Sequence, residues 1–357
     1  MASDNLVTFK NRFNKALGPD SLFLASEMTV PRRFTSGSLS LDVALGGGWP
    51  ANHWSEVLGK ESSGKTSTVL KSIAANQEIN EGFEILWVAG EHYNYEWAAK
   101  LGVDNDRVLV FPTQEMEIAL EIILQAASSR SFDMIVLDSY PALVPSEESE
   151  KAMDEFSVAT GAKLFNKFWR KAGPATSRHR DGSERPCAGI VINQYRDKIG
   201  GFSPRGTPQT SPGGHGKDYA YYVRLDVVRD DYIHEKRPGV KDPVFVGQTI
   251  KMKTVKNKSF SPQQVAFVDF YFRDAPLIGF RAGDYDLAKE YVALGIMFGV
   301  IRKSGGWYYF ADRKWQGQPS LEVDMRCEVE LQKLLASGVL ERAKNPHSQD
   351  LMEEVHE

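Results

Sequence analysis

Short apolar runs alternate with amphipathic segments along the chain from about residue 50 to residue 194. Each run is four to six residues long and rich in branched or aromatic side chains, which indicates a buried strand. The intervening segments carry apolar residues at helical spacing, at 69–74 and again at 115–127, where Ile118, Ile122 and Leu124 are predicted to face inward. This alternation predicts an α/β fold with a central, mostly parallel sheet flanked by helices. The apolar runs are residues 53–58, 84–88, 134–137 and 188–192.

The pattern changes after residue 220. Three strand-like segments follow without intervening helices, so the sheet is expected to continue antiparallel or to end in an edge hairpin. Beyond Gly283, a helix, a short β segment and a C-terminal helix predict a small second domain. The three strands are residues 221–228, 244–254 and 264–272, and the later elements are residues 287–294, 306–310 and 321–335.

The two ends of the chain differ from the rest. Phe9, Phe13, Ala16 and Leu17 lie at helical spacing, and a helix this short is marginal unless it docks on something. Its own core and a neighbouring subunit are both open as docking sites. The last residues are acidic, which predicts a flexible tail. We predict an N-terminal arm, a core, a small α+β C-terminal domain and a tail at residues 1–33, 34–280, 281–340 and 341–357.

Composition and charge exclude several classes of protein. Hydrophobic residues make up 42% of the chain and charged residues 25%, as in ordinary soluble proteins, and no apolar run is long enough to span a membrane. The N-terminus lacks a signal-peptide pattern, and two cysteines without metal-ligand spacing indicate a reducing compartment, so we expect a cytoplasmic protein. The net charge of −4 means that any binding to nucleic acid must use local positive charge.

The clearest motif follows the first predicted strand. It has the form G-x-x-x-x-G-K-T, in which glycines let successive backbone N–H groups point at phosphates. Lys65 is predicted to reach the β- and γ-phosphates of ATP, and the Thr66 hydroxyl is predicted to bind Mg²⁺. The sequence therefore predicts that the protein binds a nucleoside triphosphate. The motif is Gly59-Lys60-Glu61-Ser62-Ser63-Gly64-Lys65-Thr66.

Three polar residues come at the ends of other predicted strands, where ligands of such sheets bind. Asp138 ends an Ile-Val-Leu-Asp run, typical of a carboxylate that holds Mg²⁺ through water. Glu91 is a candidate base for the attacking water, although a loop glutamate is often only solvated. Gln194 is a candidate amide sensor of the γ-phosphate.

Positive charge is concentrated between residues 163 and 205, which hold ten Lys or Arg against three Asp or Glu. The part at 178–185 is predicted to be a solvated surface loop. The Gly/Pro/Ser-rich stretch at 200–214 is predicted to be a long loop without core residues, and such loops are often functional. Its glycines, together with Arg196 and Lys198, suit contacts to phosphates without reading of bases.

These motifs together resemble the RecA family of homologous-recombination ATPases, including phage recombinases of the UvsX kind. The resemblance covers roughly residues 34–340, far more than a phosphate-binding loop alone. Besides that loop, it depends on residues 35–46, 91–92, 100–104, 138–139, 193–200, 223–226, 255–258 and 306–308.

The resemblance implies a role for each matching residue. Glu91 matches the glutamate that activates water, Gln194 the γ-phosphate sensor, and Lys256 and Lys258 the lysines that reach a neighbouring subunit's nucleotide. The first DNA loop corresponds to about residues 150–159 and the second to about 195–214. Further residues matched to DNA binding are Lys163, Arg170, Arg196, Lys198, Ile199 (the wedge between base triplets), Gly213 and Gly214.

Some positions depart from the family pattern. Lys60 stands where bacterial members have proline, and Trp97 falls nearest to a tyrosine that stacks on adenine. The second DNA loop is about two residues longer than in bacterial members, the stretch 178–185 is extra, and the N-terminal arm matches poorly.

The resemblance implies a DNA-dependent ATPase that uses ATP and Mg²⁺, forms a filament on single-stranded DNA and pairs it with homologous duplex. Single-strand-binding and loader proteins are further implied partners, and a membrane is not. Two alternatives share the same core: a ring-forming helicase or motor, and an ATP-gated mediator that coats DNA without strand exchange.

Overall fold

The computed structural model describes residues 3–18, 21–27, 32–150, 160–176, 185–197, 209–214 and 216–344. Among these residues, no helix is both long and apolar enough to cross a membrane. The helices are α1 Asp4–Leu17, α2 Leu39–Leu45, α3 Lys65–Ile79, α4 Tyr95–Lys100, α5 Met116–Ser129, α6 Ser146–Ser149, α7 Thr160–Thr176, α8 Gly216–Ala220, α9 Leu287–Met297, α10 Gln318–Cys327 and α11 Val329–Lys344. Short 3₁₀ turns lie at Ala25–Glu27, Asn105–Arg107 and Tyr140–Ala142.

The strands form one large sheet and three small ones. They are β1 Arg33–Phe34, β2 Trp49–Pro50, β3 Trp54–Gly59, β4 Ile85–Ala89, β5 Val108–Pro112, β6 Met134–Asp138, β7 Ala188–Gln194, β8 Arg196–Asp197, β9 Gln209–Thr210, β10 Val223–Glu235, β11 Val244–Asn257, β12 Val265–Tyr271, β13 Arg302–Ser304, β14 Trp307–Phe310 and β15 Arg313–Gln316.

The large sheet has the order β12-β11-β10-β3-β7-β6-β4-β5. All pairs from β10 to β5 are parallel, whereas β10, β11 and β12 pair antiparallel. The predicted mostly parallel sheet with an antiparallel continuation is therefore confirmed. Strand β3 lies in the middle, between β7 and β10, so the loop that follows it opens at the centre of one sheet edge.

Helices cover both faces of the large sheet with separate hydrophobic cores. On one face, Val69, Leu70 and Ile73 of α3 pack against the strands, and on the other face α5 and α7 do so. The predicted inward face of α5 is confirmed for Ile122 and Leu124, which pack against the core, but Ile118 is 43% exposed. The fully buried apolar residues of that helix include Leu120 and Ile123. Small alanines, which hydrophobicity alone does not single out, complete the buried face of α5.

Helix α2 joins the core to the C-terminal part of the chain. Although Leu39, Leu41, Val43 and Leu45 alternate with small residues, the segment is helical. It begins with a cap in which the Leu41 amide donates to Ser38 Oγ at 3.2 Å, and it ends at the left-handed Gly46. Leu39 then packs into the core of the C-terminal part.

The C-terminal part has its own core, built from the antiparallel sheet β13-β14-β15 and helices α9, α10 and α11. Val292, Leu321, Met325 and Leu335 are buried there. The single C-terminal helix predicted at 321–335 is wrong, because Glu328 separates α10 from α11. The tail is predicted to begin at residue 341, but residues 341–344 belong to α11, and the rest of the predicted tail lies outside the described residues.

The N-terminal helix α1 is predicted as an arm, and its apolar residues stay exposed. Phe9 is 56% exposed and Leu17 is 68% exposed, and α1 has no buried residue. Phe9 and Phe13 contact each other with ring centroids 4.4 Å apart. The apolar side of α1 is therefore left uncovered by the described core.

Arg185 corrects one prediction, since the stretch 178–185 was expected to be a solvated loop. Of that stretch the structure describes only Arg185, whose guanidinium donates to both carboxylate oxygens of Asp133 at 3.0 and 2.6 Å and to Glu84 at 3.0 Å. A bidentate pair of this kind is a strong charge-assisted contact. Arg185 thus ties the start of β7 to the starts of β4 and β6.

A buried carboxyl lies between α9 and the start of α2. Glu290 accepts a hydrogen bond from Ser38 Oγ at 2.9 Å and another from the Ser40 amide, while its second oxygen has no partner. Burial raises the pKa of Glu290 to about 8, and nearby Asp42 and Asp286 act in the same direction. The neutral acid is the form that this interface favours.

We predict that the free energy of unfolding falls as the pH rises from about 4.5 to about 8, because the folded state binds a proton on Glu290 that the unfolded state releases. The expected contribution is on the order of 1.4 kcal/mol for each pH unit in that window. Urea unfolding at a series of pH values measures it. Glu290→Gln should lower the slope by about that amount, leaving the contributions of Asp42 and Asp138, whose pKa values burial also raises. The exposed Glu330→Gln should not change the slope, and equal slopes in both variants would contradict the assignment.

Candidate active site

The phosphate-binding loop connects the buried strand β3 to helix α3. Neighbouring backbone leaves no room for a side chain at Gly59, because a Cβ atom there would lie 2.2 Å from the Val227 carbonyl oxygen. Gly64 has a φ of +99° and faces Ile250. Lys60, Glu61 and Ser62 are exposed and Ser63 is buried. The loop has the form predicted for holding phosphates.

Lys65 begins α3 and is almost fully buried. Its Nζ donates to the carbonyl oxygen of Lys60 at 2.6 Å, within the loop itself. Burial lowers the pKa of Lys65, and the carboxylates of Asp138, Glu91 and Glu61 oppose that effect. The ammonium group therefore lies among three acids at the mouth of the loop.

Thr66 and Asp138 meet across the end of the sheet. Thr66 Oγ1 donates to Asp138 Oδ2 at 3.2 Å. Burial raises the pKa of Asp138 to about 7, and the negative charge of Glu91 adds to the effect. The sequence placed both residues at an Mg²⁺ site, and the structure brings them together.

These two groups fit a magnesium ion. A hydroxyl and a carboxylate are oxygen ligands of the kind that Mg²⁺ prefers, with phosphates and water completing its shell. Glu91 adds a second negative charge near Asp138, and a divalent cation would neutralise both carboxylates. The described residues contain no group of three or more His, Cys, Asp or Glu that could hold a metal alone.

Glu91 is held by the ends of three neighbouring strands. Its amide donates to the Asp138 carbonyl oxygen at 3.0 Å, and its carboxylate accepts from Ser139 Oγ and from Gln194 Nε2, the latter at 3.3 Å. Strands β4, β6 and β7 are adjacent in the sheet, so the three predicted strand-end residues converge. Ser139 follows Asp138 in the sequence motif, but the motif predicts no role for it, and only the fold shows its contact with Glu91.

Trp97 lies beside the loop. It lines a groove with Ser62, Gly64 and Ser67, and its ring meets Phe270 edge to face at 6.2 Å between centroids. The groove also contains Arg229, Tyr232, Gln248 and Phe272. The structure thus brings the predicted adenine-stacking residue to the phosphate-binding loop.

Lys256 and Lys258 are not brought to this chain's own loop. Arg224 of β10 is paired with Lys256 of β11 on one side and with Glu56 of β3 on the other. Lys256 is therefore two strands away from β3 and level with Glu56. Glu56 precedes Gly59 by roughly 10 Å along that strand. The Lys256 ammonium donates to the carbonyl oxygen of Asp218, and that of Lys258 donates to the carbonyl oxygen of Tyr219 at 2.9 Å. Both lysines cap helix α8.

The predicted DNA-binding residues fall into three groups. Lys163 and Arg170 are exposed on α7 and line a groove with Asn166 and Tyr219. Arg196 lies in β8, directly after Tyr195. Lys198, Ile199 and most of the first loop at 150–159 lie outside the described residues.

The stretch at 200–214 was predicted to lack core residues, and its described end corrects this. Strands β8 and β9 pair antiparallel, with Arg196 opposite Thr210. Gly213 is buried with a φ of +112°, and a Cβ atom there would lie 2.9 Å from the Phe165 ring. Gly214 lies against Ala162 and Asn166. These glycines therefore serve close packing on α7.

Comparisons with known proteins agree over most of the chain. The model of the RecA N-terminal domain matches residues 7–275. Protein RecA of Ureaplasma parvum serovar 3 is 30% identical over 349 residues, covering 97% of this chain and 96% of that protein. Protein RecA of Chlorobaculum tepidum is 34% identical over 341 residues, covering 94% and 90%. Protein RecA of Arthrobacter sp. (strain FB24) is 36% identical over 325 residues, covering 90% and 86%.

Proposed function

The chain belongs to the RecA family, and we propose the following roles for its residues in ATP hydrolysis and DNA pairing. The protein is a DNA-dependent ATPase that acts as a recombinase in recombinational repair. One observation carries the assignment of its ATP site. Thr66, Asp138, Glu91 and Gln194 converge at the ends of adjacent strands beside the phosphate-binding loop.

The loop amides and Lys65 bind the phosphates of ATP, and Trp97 packs against the adenine. A magnesium ion bound by Thr66 and, through water, by Asp138 would neutralise phosphate charge. Glu91 orients the attacking water and accepts its proton, while Ser139 fixes the carboxylate. Gln194 donates to the same Glu91 carboxylate. A γ-phosphate that attracts the Gln194 amide would change this contact, and Gln194 lies directly before the hairpin of β8 and β9, which we propose binds DNA.

Lys256 and Lys258 complete the ATP site of a neighbouring subunit. Their distance from this chain's own loop supports a role in trans, in which an ammonium group stabilises charge on the transferring phosphoryl group. Each complete site then needs two subunits. We therefore propose a helical filament in which α1 docks on the next subunit through its exposed apolar side.

DNA lies along the face that carries Lys163, Arg170 and the hairpin of β8 and β9. Basic side chains on this face, with the loop residues Lys198 and Ile199, hold the phosphate backbone and separate bases without reading them. Gly213 and Gly214 let the chain leave the hairpin tightly packed on α7. Binding should therefore be salt-sensitive and nearly independent of sequence.

ATP binding orders the DNA-binding loops and hydrolysis releases them, as in other switches driven by a γ-phosphate. Single-strand-binding and loader proteins are proposed partners, and the cytoplasm is the proposed location. A ring helicase or a mediator with the same core is not favoured, because the similarity to RecA proteins extends over nearly the whole chain.

Joint-molecule formation tests the proposal. The protein is mixed with single-stranded DNA, ATP and Mg²⁺, and with either homologous or unrelated duplex. We expect pairing with the homologous duplex only, and none with Lys65→Ala. ATP turnover stimulated by DNA without pairing would instead support a motor or a mediator.

A further inference from the structure

Strand β3 carries one charged residue, Glu56, and its side chain is completely buried. Its Oε2 accepts from Arg224 Nε at 2.6 Å. Its Oε1 accepts from Asn193 Nδ2 at 2.8 Å and lies 3.6 Å from Lys217 Nζ. The carboxylate thus contacts the neighbouring strand on each side, β7 and β10, and helix α8.

The partners of Glu56 continue the network toward α8. Arg224 Nη1 lies 3.1 Å from an Asp218 carboxylate oxygen, and Lys217 Nζ lies 3.3 Å from the same oxygen. Arg224 and Lys217 also donate to Ser211 Oγ at 3.2 and 2.5 Å. Two cations and two anions therefore balance, and they fix α8 against β3 and β10.

Helix α8 in turn holds the two lysines proposed to act in trans. Its carbonyl oxygens at Asp218 and Tyr219 accept from Lys256 and Lys258. Arg224 is also the cross-strand partner of Lys256, and two like charges at such positions repel each other. Glu56 neutralises Arg224 from the far side, so that Arg224 and Lys256 remain side by side.

We propose that Glu56 is a positioning residue whose buried carboxylate sets the place of Lys256 and Lys258 through Arg224 and α8. This inference rests on the proposed function, in which these lysines complete a neighbouring subunit's ATP site. Glu56 acts through other residues, because its buried carboxylate is enclosed by Asn193, Arg224 and Lys217. Its effect should appear at the ATP site of the neighbouring subunit, although β3 leads into the phosphate-binding loop of the same chain as Glu56.

Glu56→Gln isolates this role. With its amide oxygen facing Asn193, glutamine keeps that contact, but its NH₂ group then faces the donating guanidinium of Arg224. We expect DNA-stimulated ATP turnover to fall about 100-fold, since small displacements of catalytic groups have effects of that size. The KM for ATP should change by less than about twofold, because the phosphate-binding loop is intact.

Mixed filaments show in which subunit the defect acts. Glu56→Gln is mixed with Glu91→Gln, which lacks the water-activating carboxylate but has intact lysines. Each site is shared by two subunits. In a random equal mixture, about a quarter of the sites therefore take Glu91 from a Glu56→Gln subunit and the lysines from a Glu91→Gln subunit. Turnover should therefore recover to about a quarter of the wild-type value.

Two further mixtures with Glu91→Gln are the controls. Lys256→Ala should recover to the same extent, because its defect is also in trans. Gln194→Ala removes a contact of Glu91 itself, so both defects lie in the same half of the site and turnover should stay low. Recovery with Lys256→Ala but not with Glu56→Gln would overturn the role of Glu56 alone. Failure of both would overturn the shared site and the inference together.

The pH profile gives a second readout. Burial, then the charges of Lys258 and Arg224, lower the pKa of Lys256, whereas Asp218 and Glu56 act in the opposite direction. Removing the charge of Glu56 should move the alkaline limb of turnover to lower pH, and an unchanged limb would count against the inference. If Glu56→Gln does not fold, Arg224→Lys, which keeps the charge but shortens the reach, enters the same mixtures with the same expected recovery.

Discussion

Replacement of Glu91 by glutamine should lower DNA-stimulated ATP turnover at least about 100-fold, because the amide cannot accept a proton from the attacking water. ATP binding and DNA binding should persist, since the phosphate-binding loop and the basic face are untouched. A steady-state assay measures ATP turnover, and the fluorescence of labelled single-stranded DNA measures DNA binding separately. The variant should therefore accumulate on DNA in its ATP-bound form.

The matched control for Glu91 is Glu96→Gln. Glu96 is exposed on α4, and among the described residues its carboxylate accepts a hydrogen bond from the Tyr95 hydroxyl alone, at 3.3 Å. We expect its turnover to equal that of the unaltered protein. If Glu91→Gln kept its turnover, water activation would belong to another group, and Asp138 would be the next carboxylate to replace.

Lys256→Ala should lower turnover about 10³-fold, the low end of what a cationic finger contributes to phosphoryl transfer. The loss should appear in kcat, because the lysine stabilises charge that develops only during the reaction. The affinity for ATP should stay within about twofold. Single-turnover hydrolysis on saturating single-stranded DNA measures the chemical step directly.

Lys251→Ala is the matched control on the same strand. Lys251 lies over the Phe267 ring, with its Nζ 5.6 Å from the ring centroid, and it is paired with Val228 and Phe267, five residues before Lys256 along β11. It should turn over normally. Equal losses in Lys251→Ala and Lys256→Ala would point to a general weakening of β11 and would contradict a specific role for Lys256.

The sequence predicted β3, β4, β6 and β7 because these parallel strands are buried on both faces and form continuous apolar runs. The parallel edge strand β5 was not predicted, since its residues are at most partly buried and Leu109 is 60% exposed. Helix α5 was predicted in part, because it is apolar on several sides and periodicity could not show that Leu120 and Ile123 face the core and Ile118 does not. The break at Glu328 was missed because helical spacing continues from α10 into α11.

For the candidate site, residues that carry a motif could be predicted and residues that support them could not. Glu91, Asp138 and Gln194 each end an apolar run, and parallel strands bring such ends together. Glu56 sits inside an apolar run, and its partners Asn193 and Arg224 are 137 and 168 residues away. No local pattern connects residues at that separation, so only the fold reveals the network.

The placement of Lys256 and Lys258 has a consequence for stoichiometry. If every working site takes its lysines from the adjoining subunit, an open row of n subunits has n − 1 working sites. A pair then hydrolyses ATP at half the rate per subunit of a long row, and a lone subunit hydrolyses almost none. Turnover per subunit should therefore rise with the length of the DNA that is coated, which makes the chain's catalytic output a measure of how far assembly has gone.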